Sequence, residues 1–251
     1  LDVPVMDSDM SFGASINGGW LEYGLLAPKA VFAQPRNIIR PKFYGMIRDI
    51  LKFNKRANSE LIDSTITIGE LVNEWQLGEW FRDYYLTPFT GAIWSTPITQ
   101  ILDFPAQAMI NFMKNHALLG AGGQHQWRTV RGGSREYVSR LQSALTRANV
   151  DIRLSSPVAQ VRRNPLGVEL QMTDGSLEAF DEVIFATHSD ITLAMLSDAN
   201  NLEHQALAAV KYQPNEMVLH GDSSIMPKRQ AAWASWVYTE DKGRQSDRID
   251  L

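Results

Sequence analysis

Few side chains in this sequence stand at spacings that do chemistry by themselves. The five histidines, His116, His125, His188, His204 and His220, show neither HxxxH nor HxH spacing, so no metal site is expected. The 251 residues include no cysteine, which excludes disulfides, thiolate metal sites and cysteine nucleophiles. No GxSxG elbow, HExxH helix or close acid pair with a recognisable frame occurs. Gly120-Ala121-Gly122-Gly123 comes nearest to a phosphate-cradling loop. His125 stands where its third glycine belongs, however, and a helical pattern rather than a strand precedes it. His188 closes the apolar run Val183-Ile184-Phe185-Ala186-Thr187, at the strand edge where open α/β sheets place ligands. There it can bind a ligand or cap the helix that follows. Aromatic and methionine side chains are dense around Trp94, Phe104, Met109, Phe112 and Met113, which suits either a pocket for a lipid-like or aromatic molecule or a helix-rich core.

Charge supplies a second lead. The chain carries a formal −4, which argues against general nucleic-acid binding. Between positions 28 and 56 the cations Lys29, Arg36, Arg40, Lys42, Arg48, Lys52, Lys55 and Arg56 face one acid, Asp49. That stretch carries +7 and the remainder −11, an asymmetry that can mark an anionic partner or an acidic membrane surface. No apolar run approaches transmembrane length and no signal peptide is visible.

The elements that must position these residues follow from periodicity and turn chemistry. Residues 11–16 and 20–25 flank Asn17-Gly18-Gly19 as a hairpin. Pro41 starts a helix with the apolar stripe Phe43, Ile47, Ile50 and Leu51 and a basic remainder, either a membrane-touching helix or an ordinary surface one. Thr67 caps a further helix. Residues 79–94 form a largely buried helix kinked by Pro88, and residues 99–119 form another with Pro105 in its first turns. A strand at Gln126-Trp127-Arg128 leads through Gly132-Gly133 into a helix that Ser134 caps, with Tyr137, Val138, Leu141 and Leu145 on one face. Ile152 and Leu154 then mark a strand. Residues 158–163, 167–172 and 177–186 read as a three-strand meander turned by Asn164-Pro165 and Asp174-Gly175, its last strand apolar enough to be covered on both faces. Helices over 190–196 and 202–210 follow, then a strand at 217–220 partnered by 233–238 and a closing loop over 239–251.

Taken together, SDMSF near the start, FRDYYLTPFTGAIWS, WRTVRGGSREYV, VIFATHSD, YQPNEMVLH and AAWASW resemble, in order and spacing, the flavin-dependent amine oxidase superfamily. That group includes monoamine oxidases, protoporphyrinogen oxidases and phytoene desaturases. The resemblance is greatest to bacterial NAD/FAD-binding amine-oxidase-like proteins and extends over nearly the whole chain. The family's opening GxGxxG does not occur in these residues, nor does its second glycine-rich flavin segment. The expectation is therefore an internal stretch of a longer protein, holding FAD poorly and inactive by itself.

The resemblance implies a mixed α/β fold: part of an FAD/NAD(P)-binding-like, Rossmann-like domain with a β-meander, plus a helix-rich substrate domain on an antiparallel sheet. It implies substrate domain over 1–126, the middle of the FAD domain over 127–205 and returning substrate-domain strands over 206–251. Cofactor contacts would fall to Val158, through its backbone, and to Ala186, Thr187 and His188. Gln126 would line the substrate cavity, with Trp127 beside it and turned to the opposite face by strand alternation. No catalytic residue is implied. Several family oxidases carry a lysine near the flavin, but Asn215, Glu216 and Met217 occupy the matching positions and Lys211 lies upstream. The implied activity is FAD-dependent oxidation of a hydrophobic amine or unsaturated substrate in a bacterial, cytoplasmic protein of unspecified oligomeric state. Two alternatives stand beside it. One is a non-catalytic module contacting an anionic membrane or partner through the stretch from Arg36 to Arg56. The other is a phytoene-desaturase-like desaturase or isomerase.

Overall fold

The computed structural model describes residues 1–94, 98–120, 126–212, 214 and 216–243. In chain order it contains strands β1 (Val5–Ser8), β2 (Phe12–Ile16) and β3 (Leu21–Gly24), then helices α1 (Pro28–Val31), α2 (Pro41–Ser59), α3 (Ile68–Glu74), α4 (Glu79–Phe81), α5 (Thr87–Trp94), α6 (Ile98–Ile101) and α7 (Ala106–Asn115). After these come β4 (Trp127–Val130), α8 (Ser134–Arg147), the strands β5 (Val158–Asn164), β6 (Gly167–Met172) and β7 (Leu177–Phe180), helices α9 (Ser189–Met195) and α10 (Asn201–Ala209), and β8 (Trp236–Thr239). Two compact units result. The larger holds residues 2–136 and 219–251, and the smaller holds 137–218 together with Leu1. Expected boundaries stood at 126/127 and 205/206. β4 lies in the larger unit because it pairs antiparallel with β1, Ser8 opposite Trp127 and Val5 opposite Val130.

In the larger unit the hairpin forms where its turn demands it. Asn17, Gly18 and Gly19 all take positive φ (50°, 64° and 85°), a conformation that asparagine and glycine adopt at least cost. β2 then pairs antiparallel with β3 and parallel with β8, giving the order β3-β2-β8. This mixed sheet is buried by the helices. Phe12, Ile16, Leu21 and Tyr23 pack with Phe43 and Phe53 of α2, Trp75 and Phe81 in one continuous core. At Gly13 the sheet meets the turn at 230–232 so closely that a Cβ would stand 2.1 Å from the Ala232 carbonyl oxygen.

The helices follow their caps. Thr67 and Glu70 make a reciprocal capping box at the start of α3, which ends where Gln76 turns to φ 49°. α2 starts with Pro41 in its first turn, but the buried stripe is Phe43, Met46, Phe53 and Ala57, while Leu51 is exposed. α4 and α5 are joined by a π turn, Arg82–Leu86, so the strain expected at Pro88 is absorbed one turn earlier. Instead of one helix over 99–119, α6 and α7 are separate: Pro105 occupies the N-cap position of α7, where its missing N–H costs nothing. The expected start at Ser95-Thr96-Pro97 lies outside the described residues.

The smaller unit is built on the β5-β6-β7 meander, whose turns are those the side chains dictate. Asn164 Oδ1 accepts from the Leu166 amide, and Asp174 Oδ1 accepts from the amide and hydroxyl of Ser176. Its core is small: Val161, Val168 and Leu196 are buried, with Val183 and Phe185 against them. Several expectations fail here. Ile152 and Leu154 lie in no strand, and β7 ends at Phe180. Residues 183–186 join no sheet among the described residues, and Ile184 is 92% exposed. An apolar run becomes a doubly covered strand only where neighbours flank it and both faces are covered; here one face alone meets a core. Residues 217–220 are likewise exposed and form no strand; β8 pairs with β2 instead. At α8 the helix begins after Gly132 and Gly133, both at positive φ, and the Gly133 carbonyl rather than a Ser134 cap takes the Glu136 amide. α8 buries none of its residues.

Candidate functional site

A cavity of about 650 Å³ lies within the larger unit, in the range of small-molecule sites. Phe12, Tyr23 and Leu25 of the sheet region form one wall. Phe43, Met46, Ile47, Ile50 and Asn54 of α2 form a second, and Tyr85 and Phe89 a third. The exposed lining residues Asp9, Leu26, Leu51, Gly120 and Gln126 mark its mouth.

Local sequence explains how the aromatic wall is set. Pro88 has no N–H to give the carbonyl one turn back, that of Tyr84. The Tyr23 hydroxyl donates to that oxygen at 2.5 Å, fastening β3 to the helix at its π turn. Burial, and then the neighbouring Tyr85, raises the Tyr23 pKa well above its ordinary value, so this phenol stays a neutral donor. Burial also raises Tyr85. Phe89 stacks on Tyr85 at 5.7 Å and meets Phe12 edge-on at 5.1 Å, so the wall is rigid and apolar.

Polar groups in the lining are few. Asn54 Oδ1 and Trp127 Nε1 are buried without a hydrogen-bond partner among the described residues, one acceptor and one donor at the cavity. Among the described residues of the lining, Asp9 alone is charged. Its Oδ1 accepts from the Ser11 hydroxyl, from the Ser11 amide at 3.0 Å and from the Ser235 hydroxyl at 2.5 Å. Those bonds, led by the Ser11 hydroxyl, hold its pKa below the ordinary carboxylate value, so Asp9 is an anion at neutral pH. No cation pairs with it among the described residues.

Gln126 and Trp127 both line this cavity. Gln126 lies just before β4, so strand alternation does not turn the two apart. Its Nε2 donates to the carbonyls of Ser8 (3.1 Å) and Trp127 (2.9 Å), which closes the mouth against β1. The remaining candidates lie in the smaller unit. Val158 begins β5, an edge strand, opposite Met172 of β6 and beside a β-bulge, and the Thr173 amide bonds the Pro157 carbonyl just before it. Ala186 is exposed. The Thr187 hydroxyl meets that of Thr192 at 2.7 Å, and His188 stacks on Tyr212 at 4.1 Å instead of capping α9 with its side chain. Thr187 and Tyr212 line an open cavity of about 670 Å³, with Val183, Phe185 and the buried hydroxyl of Ser189, which has no hydrogen-bond partner among the described residues. Val158, Ala186 and His188 are not in that lining. The stretch Ala121 to His125, Gln213 and Asn215 lie outside the described residues. Sequence reasoning missed Asp9 and Asn54, whose surroundings come from distant segments. Among the described residues no cluster of metal-ligating side chains occurs, and none of their helices is long and apolar enough to cross a membrane.

A family model described as flavin containing amine oxidoreductase matches residues 74–219, more than half of the chain. No curated protein matches it significantly. Among solved structures, a provisionally named protoporphyrinogen oxidase from Exiguobacterium sp. 255-15 aligns over 80% of this chain and 46% of its own, with 17% identity and a TM-score of 0.51. A CLA-producing fatty acid isomerase from P. acnes aligns over 81% and 46% at 12% identity and TM-score 0.49. A reduced UDP-galactopyranose mutase aligns over 82% and 44% at 13% identity and TM-score 0.46. The chain thus spans less than half the length of these structures, and the first of them shares its mixed α/β fold.

Proposed function

Because the chain belongs to the flavin-containing amine oxidoreductase family, we propose that the whole protein is an FAD-dependent oxidoreductase that takes a hydrophobic amine into the cavity of the larger unit. The observation carrying the substrate class is the lining itself: aromatic and aliphatic walls with one charge among the described residues, the Asp9 carboxylate, at the mouth. An apolar body would be dehydrated by the walls while its ammonium meets Asp9.

The smaller unit offers part of what FAD requires. Val158 lies on an edge strand, where backbone N–H and C=O groups would be the donor and acceptor for an adenine edge. Thr187 and the Ser189 hydroxyl would supply further hydrogen bonds. No glycine-rich GxGxxG loop for the pyrophosphate occurs among the 251 residues, so these groups fit one end of the cofactor. When bound, a flavin supplies the hydride acceptor.

This chain's residues would then bind, orient and exclude water. Phe12, Tyr23, Tyr85 and Phe89 hold the apolar body, with Tyr23 kept neutral and tied to the helix. Asn54 Oδ1 and Trp127 Nε1 would offer a bound ligand one acceptor and one donor. Gln126 keeps the mouth closed against β1, and Asp9 sets which end of the substrate stays outermost.

The test is a visible spectrum of the whole protein after FAD reconstitution and desalting, followed by anaerobic addition of 4-phenylbutylamine. Retained flavin absorbance that the amine bleaches is the expected result. A protein that stays colourless sinks the flavin assignment, whereas a flavin spectrum indifferent to any hydrophobic amine sinks the substrate class alone.

A further inference from the structure

The cations of the stretch over 28–56 are not in the cavity lining, yet the structure gives them a definite face. Its one acid is turned inward: Asp49 is buried on α2, where its carboxylate accepts the Gly78 amide at 2.9 Å and pairs with Arg48 at 3.2 Å. The opposite side of α2 presents Tyr44, Arg48, Leu51 and Lys55, spaced four, three and four residues apart on a single face, and all are exposed. Just before the helix, a 3-10 turn, Pro35–Ile39, holds Ile38 and Ile39 at 55% and 79% exposure. The Tyr44 hydroxyl donates to the Ile38 carbonyl at 2.9 Å, so the turn and the helix face form one surface. Lys29, Arg36, Lys42 and Lys55 are exposed, and none pairs with a carboxylate among the described residues. Arg40, pinned over the Trp20 ring at 4.7 Å, has its pKa lowered by burial and then by Arg36, which marks a local excess of positive charge.

Exposed aliphatic side chains set among unpaired cations, with the only acid facing the core, are what an interfacial helix needs. A surface built only for water carries both signs and leaves such aliphatics scattered. A polynucleotide would gain nothing to stack on from Ile38 and Ile39. We infer that the outer face of α2, with the 3-10 turn before it, docks the protein on an anionic lipid bilayer, the lysines and arginines at the headgroups and Ile38, Ile39 and Leu51 below them. Charge complementarity names the occupant: a locally +7 segment on a chain that is otherwise −11 must approach an anionic surface with this face first. Leu51 also lines the cavity, so the docking face borders its mouth. This inference does not depend on the flavin reading.

Cosedimentation of the full chain with phosphatidylcholine vesicles, with and without about one-third phosphatidylserine, tests it. The expected result is at least roughly tenfold tighter binding to the anionic vesicles at low ionic strength, declining as salt rises. Lys42→Ala and Lys55→Ala should each weaken it about fivefold. A double change, Ile38→Ser with Ile39→Ser, should weaken it about tenfold even where the charges are intact. All four positions are exposed, and circular dichroism checks the fold; the comparison of the two vesicles and the salt series need no variant. Equal binding to both vesicles overturns the inference. So does an isoleucine variant that binds unchanged, or tighter binding to polyglutamate or duplex DNA than to the anionic vesicles.

Discussion

At the scale of single residues, the proposed substrate class rests on Asp9, the carboxylate at the cavity mouth. Three donors crowd its Oδ1, and Oδ2 accepts no hydrogen bond among the described residues, so a ligand cation can reach it. Asp9→Asn keeps the acceptor that Ser11 and Ser235 use and removes only the charge. By titration calorimetry with the intact protein, 4-phenylbutylamine should bind the variant roughly five- to tenfold more weakly, and 4-phenylbutanol should bind it unchanged. An equal loss for both ligands would mean that Asp9 is structural. The sign of the pH effect follows from its lowered pKa. The folded carboxyl ionises below the unfolded value of about 3.9, so its stabilisation is fully present above that pH and fades as pH falls through the lower folded pKa. Glu203 is a second case. The Arg163 guanidinium, and then the Asn200 amide, hold it down to about 2. A carbon-detected NMR titration should place its midpoint near that value, and an ordinary glutamate midpoint would dismiss the Arg163–Glu203 pair.

At the scale of elements, α2 carries the larger unit's core on one face and its basic surface on the other. Phe53 is fully buried, with its ring 5.7 Å from Trp75 and 5.4 Å from Phe81. Phe53→Ala should cost about 3–5 kcal/mol of stability in denaturant unfolding, since the hole is lined by stiff rings that cannot collapse into it. A loss below about 1 kcal/mol would show that the site repacks. Gly13→Ala tests the sheet differently. Its Cβ would press on the Ala232 carbonyl, a backbone atom, so the turn at 230–232 must shift and β8 with it. The expected readout is lost amide protection in β2 and β8 while the β5-β6-β7 meander is unchanged. Thr67→Ala removes one half of the α3 capping box and should cost about 1 kcal/mol.

At the scale of the whole molecule, the two units have unequal means of support. The larger has a continuous aromatic core drawn from its sheet and helices. The smaller has three buried apolar side chains, Val161, Val168 and Leu196, supplemented by surface pairs such as Arg163 with Asp198 and Glu203. Surface ion pairs contribute little, so the smaller unit should open at a lower free energy. Native-state hydrogen exchange of the chain should show β5, β6 and β7 exchanging well before β2 and β8. Uniform protection across both sheets would contradict this.

The sequence by itself determined whatever rests on neighbours along the chain. Asn17-Gly18-Gly19 and Gly175 suit turns at positive φ, which few other residues tolerate; Asn164 and Asp174 hold theirs by accepting the amide two residues on, and Thr67 with Glu70 capped a helix from three positions apart. The order of the family's motifs was legible for the same reason. Tertiary structure alone decided the cavity and the sheet pairing. Ser11, two positions on, supplies two of the donors that hold Asp9 as an anion, but the third, Ser235, comes from 226 positions away. The apolar run at 183–186 looked like a covered strand, but burial depends on what lies on either side of it, and a local pattern carries no record of that. Asp49 likewise counted as one acid in a basic stretch; folding turned it inward to Gly78 and left Lys42 and Lys55 exposed, because helical rotation sorts side chains by face and composition does not.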